Sequence, residues 1–324
     1  MKHIEELNAV LVTNAELRAA IKAIGWRDFI AEIQKGFEQS SLGYSVTPPK
    51  VYVNTAVSDM RCMPSYLPKY NSRYCGVKIV CVAPANKKIG IPTVLGEYLL
   101  RDAETQQLLA IMQAEEMTAF RTGAATGVAT DALARRDCET LGLVGAGKQS
   151  YYQAKAILTV RPSIEQIKLV DLAPERALAF KARYEQEFGV EIAVVNLEAA
   201  VDADILTTVT PATKPFVFTE QIRPGMHLNG VGADAKTKIE FAPGVLRQAR
   251  IIVDDLTQCI HSGEVYQGLE QGIITEQDLI PLGDVLLQKQ AGRTSAEDVT
   301  FFKSTGVAFQ DLITAILVFE RLRK

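Results

Sequence analysis

The sequence predicts an α/β protein in two parts: a doubly wound, mostly parallel sheet in the second half, and a β-rich domain with helices ahead of it. Three observations carry this. From Thr140 to Val253, short apolar runs alternate with helical patterns across brief connections, the arrangement that builds a parallel sheet. Inside that stretch, Thr140–Val144 turns through Gly145-Ala146-Gly147 directly into a helical pattern. From Pro48 to Met112, by contrast, strand-like runs are separated by loops rich in Pro and Asn.

Taken in order, Asn14–Ile24 and Trp26–Glu38 read as two helices separated by Gly25, with Asn14 as the cap and Leu17, Ile21 and Ile24 at helical spacing. Val51–Val53, Tyr74–Ala83, Thr93–Leu100 and Leu108–Met112 are strands. Glu115–Arg135 is one long helix, and its small residues (Gly123, Ala124, Ala125, Gly127, Ala129) allow a neighbour or ligand to lie close. The domain join is expected along it. The alternation then runs through Thr140–Val144, a helix from Ser150, Ile167–Val170, a helix from Pro174, Ile192–Val195, Leu197–Val201, Ile205–Thr208, Met226–Gly230 and Ile251–Val253. Gly306–Arg323 is helical in pattern and is expected to pack on the first domain.

Composition excludes several classes. With 324 residues, 48% hydrophobic and 23% charged, the chain is long enough for two cores and ordinary for a globular protein. A net charge of −3 and scattered basic residues give no pull toward nucleic acid or an anionic membrane. Cys62, Cys75, Cys81, Cys138 and Cys259 show no CxxC spacing, and only three histidines accompany them, so no metal site is expected. No apolar run approaches a membrane span, and the acidic N-terminal stretch does not read as a signal peptide, so a cytoplasmic protein is expected.

A strand that turns on glycines into a helix offers free N–H groups and the positive helix end to an anion. Gly145 suits the tight turn, and Gly147 lets a pyrophosphate approach without meeting a Cβ. Ser150 stands where the usual fingerprint has a third glycine. Asp171 ends the next apolar run, a little beyond the usual interval of about 20 residues. An acid there can accept both ribose hydroxyls of an adenosine and repels the extra phosphate of NADP, which Arg176 nearby could soften. The blander alternative is a strand-ending aspartate that caps the helix from Pro174.

Three further positions invite chemistry. Lys78 interrupts an apolar strand: it is either a solvent-facing lysine on an edge strand, or an ammonium in a cleft for a carboxylate or for proton transfer. Arg121 lies among small helical residues: it is either a surface arginine or a fork for a carboxylate. Asp234, in Asn229-Gly230-Val231-Gly232-Ala233-Asp234, follows an apolar strand: it is a turn aspartate, or a carboxylate at the ligand-binding edge of the sheet.

These residues, with Met63-Pro64-Ser65-Tyr66, Gly76-Val77-Lys78, Pro84-Ala85-Asn86, Pro92-Thr93, Arg121-Thr122-Gly123-Ala124-Ala125, Thr207-Thr208-Val209-Thr210, Pro224-Gly225-Met226-His227-Leu228-Asn229 and Lys238, resemble the ornithine cyclodeaminase/μ-crystallin family in order from about Pro48 to Asp311. The resemblance implies a homodimer. In each chain residues 1–120 plus 305–324 would form an α+β substrate-binding and dimerisation domain, and 121–304 a Rossmann-type domain for NAD(H) or NADP(H), of which Asp171 favours NAD(H). It implies hydride exchange at a carbon bearing nitrogen, between a small amino acid and its imino acid. Carried over by position, Lys78 and Arg121 would hold the substrate carboxylate, with Lys78 also assisting proton movement, Thr93 and Lys50 would line the pocket, and Asp234 would be the acid/base partner of the substrate nitrogen. Thr122, Gly145, Ala146, Gly147, Lys148, Gln149, Ser150, Asp171, Arg176 and Val231 would hold the dinucleotide, with Thr208, Val209 and Thr210 near the nicotinamide ribose and Asp234 beside it.

Two departures bear on substrate. Cyclodeaminases of this kind carry arginine where this chain has Lys50, and glutamate where it has Arg61. Arg61 at a pocket rim could share the α-carboxylate or meet a second acidic group on the substrate; otherwise it points to solvent beside Asp59. An amino acid dehydrogenase or imine reductase is therefore the first expectation. A cyclodeaminase that uses NAD catalytically, and a non-catalytic ligand-binding protein, are its rivals.

Overall fold

The computed structural model describes residues 2–4, as backbone, and residues 8–323; Met1, residues 5–7 and Lys324, which the expected domain ranges include, lie outside these. By backbone proximity the chain divides into one unit of Met1–Arg121 with Val307–Lys324, and a second of Thr122–Gly306.

The first unit is built on a seven-stranded sheet. In chain order it holds β1 (Lys2–Ile4), β2 (Ala9–Val12), α1 (Asn14–Ile24), α2 (Trp26–Ser41), β3 (Val51–Asn54), β4 (Asp59–Tyr66), α3 (Pro68–Asn71), β5 (Tyr74–Val82), β6 (Val94–Asp102), β7 (Leu108–Gln113) and the start of α4 (Ala114–Leu133). The spatial order is β1-β2-β7-β6-β5-β4-β3, antiparallel except where β2 meets β7. The cap of α1 is Thr13, in a capping box with Glu16, and not Asn14. Asn14 serves a different helix. Its side-chain oxygen accepts from Glu116 N at 3.1 Å and so caps the first turn of α4.

Strand β4 escapes the sequence pattern because of Pro64, which argues against a strand interior. Its register explains why proline is tolerated. β3 pairs only with Asp59–Cys62, and Tyr66 N points to that same side, toward Val46 O. Pro64, two residues earlier, therefore turns its nitrogen to the outer side, beyond the end of β3, where no ladder hydrogen bond is lost.

The second unit carries β8 (Thr140–Val144), α5 (Lys148–Val160), β9 (Gln166–Val170), α6 (Pro174–Phe188), β10 (Glu191–Val194), α7 (Leu197–Val201), β11 (Ile205–Thr208), β12 (His227–Gly230), β13 (Ala249–Val253), α8 (Leu256–Cys259), α9 (Gly263–Glu270), β14 (Leu279–Pro281), α10 (Leu282–Leu286) and β15 (Val299–Lys303). All eight strands run parallel, in the order β10-β9-β8-β11-β12-β15-β13-β14. Strand order reverses direction between β8 and β11, which makes their carboxyl ends the place where an open α/β sheet takes its ligand. Leu141 and Leu143 enter one core beside Ile157 and Ile167, and Val144 enters the other beside Leu206 and Phe301. Both faces of the sheet are thus covered, as a parallel sheet requires. The last turn of α4 is closed by buried Arg161, which donates to the carbonyls of Thr130, Asp131 and Ala134 at 2.8 Å each.

Helix α11 (Ala308–Leu322) returns to the first unit. It lies on α2, where Phe309 meets Phe37 edge-to-face at 5.2 Å and a Cβ on Gly36 would come within 2.6 Å of Ile313. Burying Phe309 contributes about 2–3 kcal/mol relative to leaving it exposed. Among the described residues no helix is long and apolar enough to cross a membrane.

Candidate active site

In the first unit, cross-strand pairing fixes which side chains share a face. Met63, Lys78 and Tyr98 are register partners across β4, β5 and β6, and Tyr52, Arg61 and Val80 lie one step along on the same face. Lys78 is not at an edge: β5 runs between β4 and β6, and the lysine is 1% exposed. Helix α11 covers this face and delivers Asp311 to it. Lys78 Nζ donates to Asp311 Oδ1 at 2.9 Å, and Arg121 Nε donates to the same oxygen at 3.0 Å. Arg121 Nη1 also donates to Gln310 Oε1 at 2.9 Å, and Thr118 Oγ1 lies 3.5 Å from Lys78 Nζ.

Two buried cations thus share one oxygen of one carboxylate. Among the described residues Asp311 Oδ2, Gln310 Nε2 and the Tyr98 hydroxyl have no hydrogen-bond partner, although all are buried. Buried polar atoms without partners are costly and can be satisfied by a polar ligand or by water. The charge balance gives its sign: two positive groups face one negative group, and Lys50 nearby adds to the positive potential. Burial, and next the charge of Arg121, pull the Lys78 pKa down to about 7, against the opposing pull of Asp311. An incoming carboxylate would relieve that strain.

Arg61 shares the face with Lys78, but its guanidinium is paired with Asp59 at 2.6 and 3.3 Å and lies over the Tyr52 ring. Two positions apart on one face of a strand, an arginine and an aspartate reach each other without strain, so Arg61 has its counter-ion within β4 and needs no second acid from a substrate. Thr93 lies just before β6, where its carbonyl accepts the N–H of Ala83 at 2.8 Å.

In the second unit, the chain leaves β8 at Gly145, whose φ of +105° suits glycine and whose N–H donates to Val170 O at 2.8 Å. Ala146 N donates to Asp171 Oδ2 at 2.8 Å, and Ala173 N to Asp171 Oδ1 at 2.9 Å. Asp171 thus fastens the glycine turn to the end of β9, and each oxygen keeps a lone pair for a ribose hydroxyl. Gly147 opens α5 with no side-chain cap, and a Cβ there would meet nothing within 4 Å. Lys148 and Gln149 form the first turn behind it. Ser150 is buried and donates to Gly145 O at 2.7 Å, so the hydroxyl ties down the turn where a third glycine would have packed. Close packing is supplied by Gly123 instead, where a Cβ would lie 2.5 Å from Tyr152 O. Thr122 is buried beside it, and Arg176 is exposed on the first turn of α6. The free helix start, the open space before Gly147 and the acid at the end of β9 fit a dinucleotide.

Thr208, at the end of β11, and Thr210, just after it, send their hydroxyls to Glu240, while Val209 between them packs against the core beside Leu143 and its N–H donates to Val144 O at 3.0 Å. Val231 N donates to Thr208 O at 3.1 Å and joins this loop to the one after β12. Asp234 sits in that second loop, where Lys238 Nζ donates to its Oδ1 at 2.6 Å. Sequence reasoning does not single out Asp311, Gln310, Tyr98, Thr118 or Glu240. The available signal was a polar pair, Gln310-Asp311, inside an otherwise apolar helix.

Residues 14–324 match the model of the ornithine cyclodeaminase/mu-crystallin family. An alanine dehydrogenase of Archaeoglobus fulgidus is 35% identical over 97% of this chain and 95% of its own. A solved archaeal alanine dehydrogenase dimer with bound NAD superposes with a TM-score of 0.92, at 35% identity, over 97% of this chain and 96% of that one. A Delta(1)-pyrroline-2-carboxylate reductase of Thermococcus litoralis, solved with NADH and L-proline, also gives 0.92, at 32% identity and 97% coverage of both chains.

Proposed function

Because the chain belongs to the ornithine cyclodeaminase/mu-crystallin family, we infer that it is an NAD(H)-dependent oxidoreductase that interconverts a small imino acid, or an oxo acid plus ammonia, with the L-amino acid. The observation that carries the substrate class is the buried cluster of Lys78, Arg121 and Asp311, which has one positive charge more than it can satisfy. An α-carboxylate matches that charge. Arg121 offers planar donors and Lys78 a point charge, so together they fix the orientation of the carboxylate and hence of Cα. Bound NAD(H) supplies the acceptor or donor of the hydride. Asp234 gives a proton to the substrate nitrogen or takes one from it, and Lys238 holds one of its oxygens.

Val51, Tyr52 and Val53 on the outermost strand β3 are 58%, 44% and 49% exposed, an apolar row that suits a second copy of the chain. Five free cysteines suit a reducing, cytoplasmic setting.

A panel of 2-oxo acids with ammonia and of cyclic imino acids, each with NADH or NADPH, tests this reading. We expect turnover with small neutral substrates and a preference for NADH, because Asp171 meets a like charge in NADPH. No turnover with any imino or oxo acid would overturn the function, and equal kcat/KM for the two cofactors would overturn the role of Asp171.

A further inference from the structure

We propose that Glu240 is a positioning residue for the nicotinamide end of the dinucleotide, binding the loops after β11 and β12 into one surface. The proposal rests on the NAD(H) reading above. Glu240 is fully buried, and four donors converge on its carboxylate. Oε1 accepts from Thr210 N at 2.7 Å and Thr210 Oγ1 at 2.8 Å; Oε2 accepts from Thr208 Oγ1 and from Gly232 N, both at 2.8 Å. Thr208 is the last residue of β11 and Thr210 lies in the loop after it, while Gly232 belongs to the loop that leads to Asp234. The loops are so close that a Cβ on Gly232 would fall 2.2 Å from Thr210 O and 2.6 Å from Glu240 Oε1.

A second buried carboxylate supports the first. Glu264 Oε1 accepts the N–H of Glu240 itself at 2.7 Å, and Glu264 Oε2 accepts from Lys303 Nζ at 2.6 Å. The same ammonium donates to Ala233 O at 2.6 Å, so the peptide next to Asp234 is held from behind as well. Two buried acids against one buried lysine is a costly arrangement, and burial together with Glu264 pushes the Glu240 pKa up. Simple loop packing has no need of it. Only a carboxylate meets four donors with acceptors alone, since an amide would turn N–H toward N–H on one side. Both loops stand at the carboxyl edge of the sheet, on the side of the switch point away from Asp171.

The test is Glu240→Gln, with NADH binding followed by its fluorescence and ADP binding by competition. NADH affinity should fall roughly tenfold or more while ADP affinity stays within about twofold, because ADP reports only the Asp171 end. Unchanged NADH affinity would overturn the proposal, and so would equal weakening of NADH and ADP, which means a generally loosened unit. Should Glu240→Gln fail to fold, Thr208→Val removes one donor at constant shape. It should give the same split at about threefold, and its absence there is equally decisive. Wild-type protein that binds no NADH would refute the cofactor reading instead.

Discussion

Asp234→Asn is expected to lower kcat about a hundredfold or more while NADH affinity changes less than about twofold. The reason is local. The backbone on either side of Asp234 is fixed, since before it Gly232 N is held by Glu240 and Ala233 O by Lys303, and after it Ala235 O accepts from Gly263 N, so the loop does not depend on the Asp234 carboxylate for its shape. Asparagine keeps an oxygen for Lys238, which bonds Asp234 at 2.6 Å, and therefore keeps that contact too. What it lacks is a titratable carboxyl proton. Steady-state kcat and an NADH titration on the same preparation separate the two effects. A variant that keeps more than about a tenth of wild-type kcat would show that another group moves the proton, because general acid–base catalysis is typically worth 10²–10⁴-fold.

Lys78→Met should reduce kcat/KM about ten- to hundredfold, the loss of one charge-assisted hydrogen bond to the substrate carboxylate, with NADH affinity unaltered. Methionine fills similar space, and Arg121 remains to pair Asp311, so the fold keeps its buried ion pair. The pH dependence has a definite sign. With its pKa drawn down to about 7 by burial and by Arg121, Lys78 is charged below that pH and neutral above it. The charged form attracts the carboxylate, so kcat/KM should fall as pH rises through about 7. In the substrate complex the added anion favours the charged form, so the corresponding fall in kcat should come at higher pH. Lys78→Arg stays charged throughout and should lose the alkaline fall, although its different fork lowers the absolute rate. Identical profiles for the wild type and Lys78→Arg would assign the titration to another group.

The parallel sheet was legible because each strand announces itself locally, as Thr140–Val144 does with an apolar run, a glycine turn and a helix. What sequence reading missed has no local signature. β15 ends in Lys303, and a buried lysine makes sense only once Glu264 is known to face it. It also enters the sheet between β12 and β13, out of chain order. β4 was hidden by Pro64, whose nitrogen happens to face the outer side of the sheet. At the site, Lys78 and Arg121 stood out because each breaks the character of its own element. Asp311 did not, because α11 reads as a packing helix, and the partners of Asp311 lie 233 and 190 residues away along the chain. Arg61 is a different case: the sequence left its charge open between a substrate acid and a place beside Asp59, and on the same face of β4 it pairs with Asp59.

The proposed function requires a net hydride transfer to the carbon that carries nitrogen, in a substrate held by its carboxylate. The most direct measurement uses NADH bearing deuterium in the transferred position, with the best imino or oxo acid substrate, and analyses the amino acid formed. Deuterium is expected at Cα, with one NADH consumed for each amino acid produced. Product formed without net NADH consumption, as when ornithine is cyclised to proline and the hydride is returned within the same turnover, would contradict it.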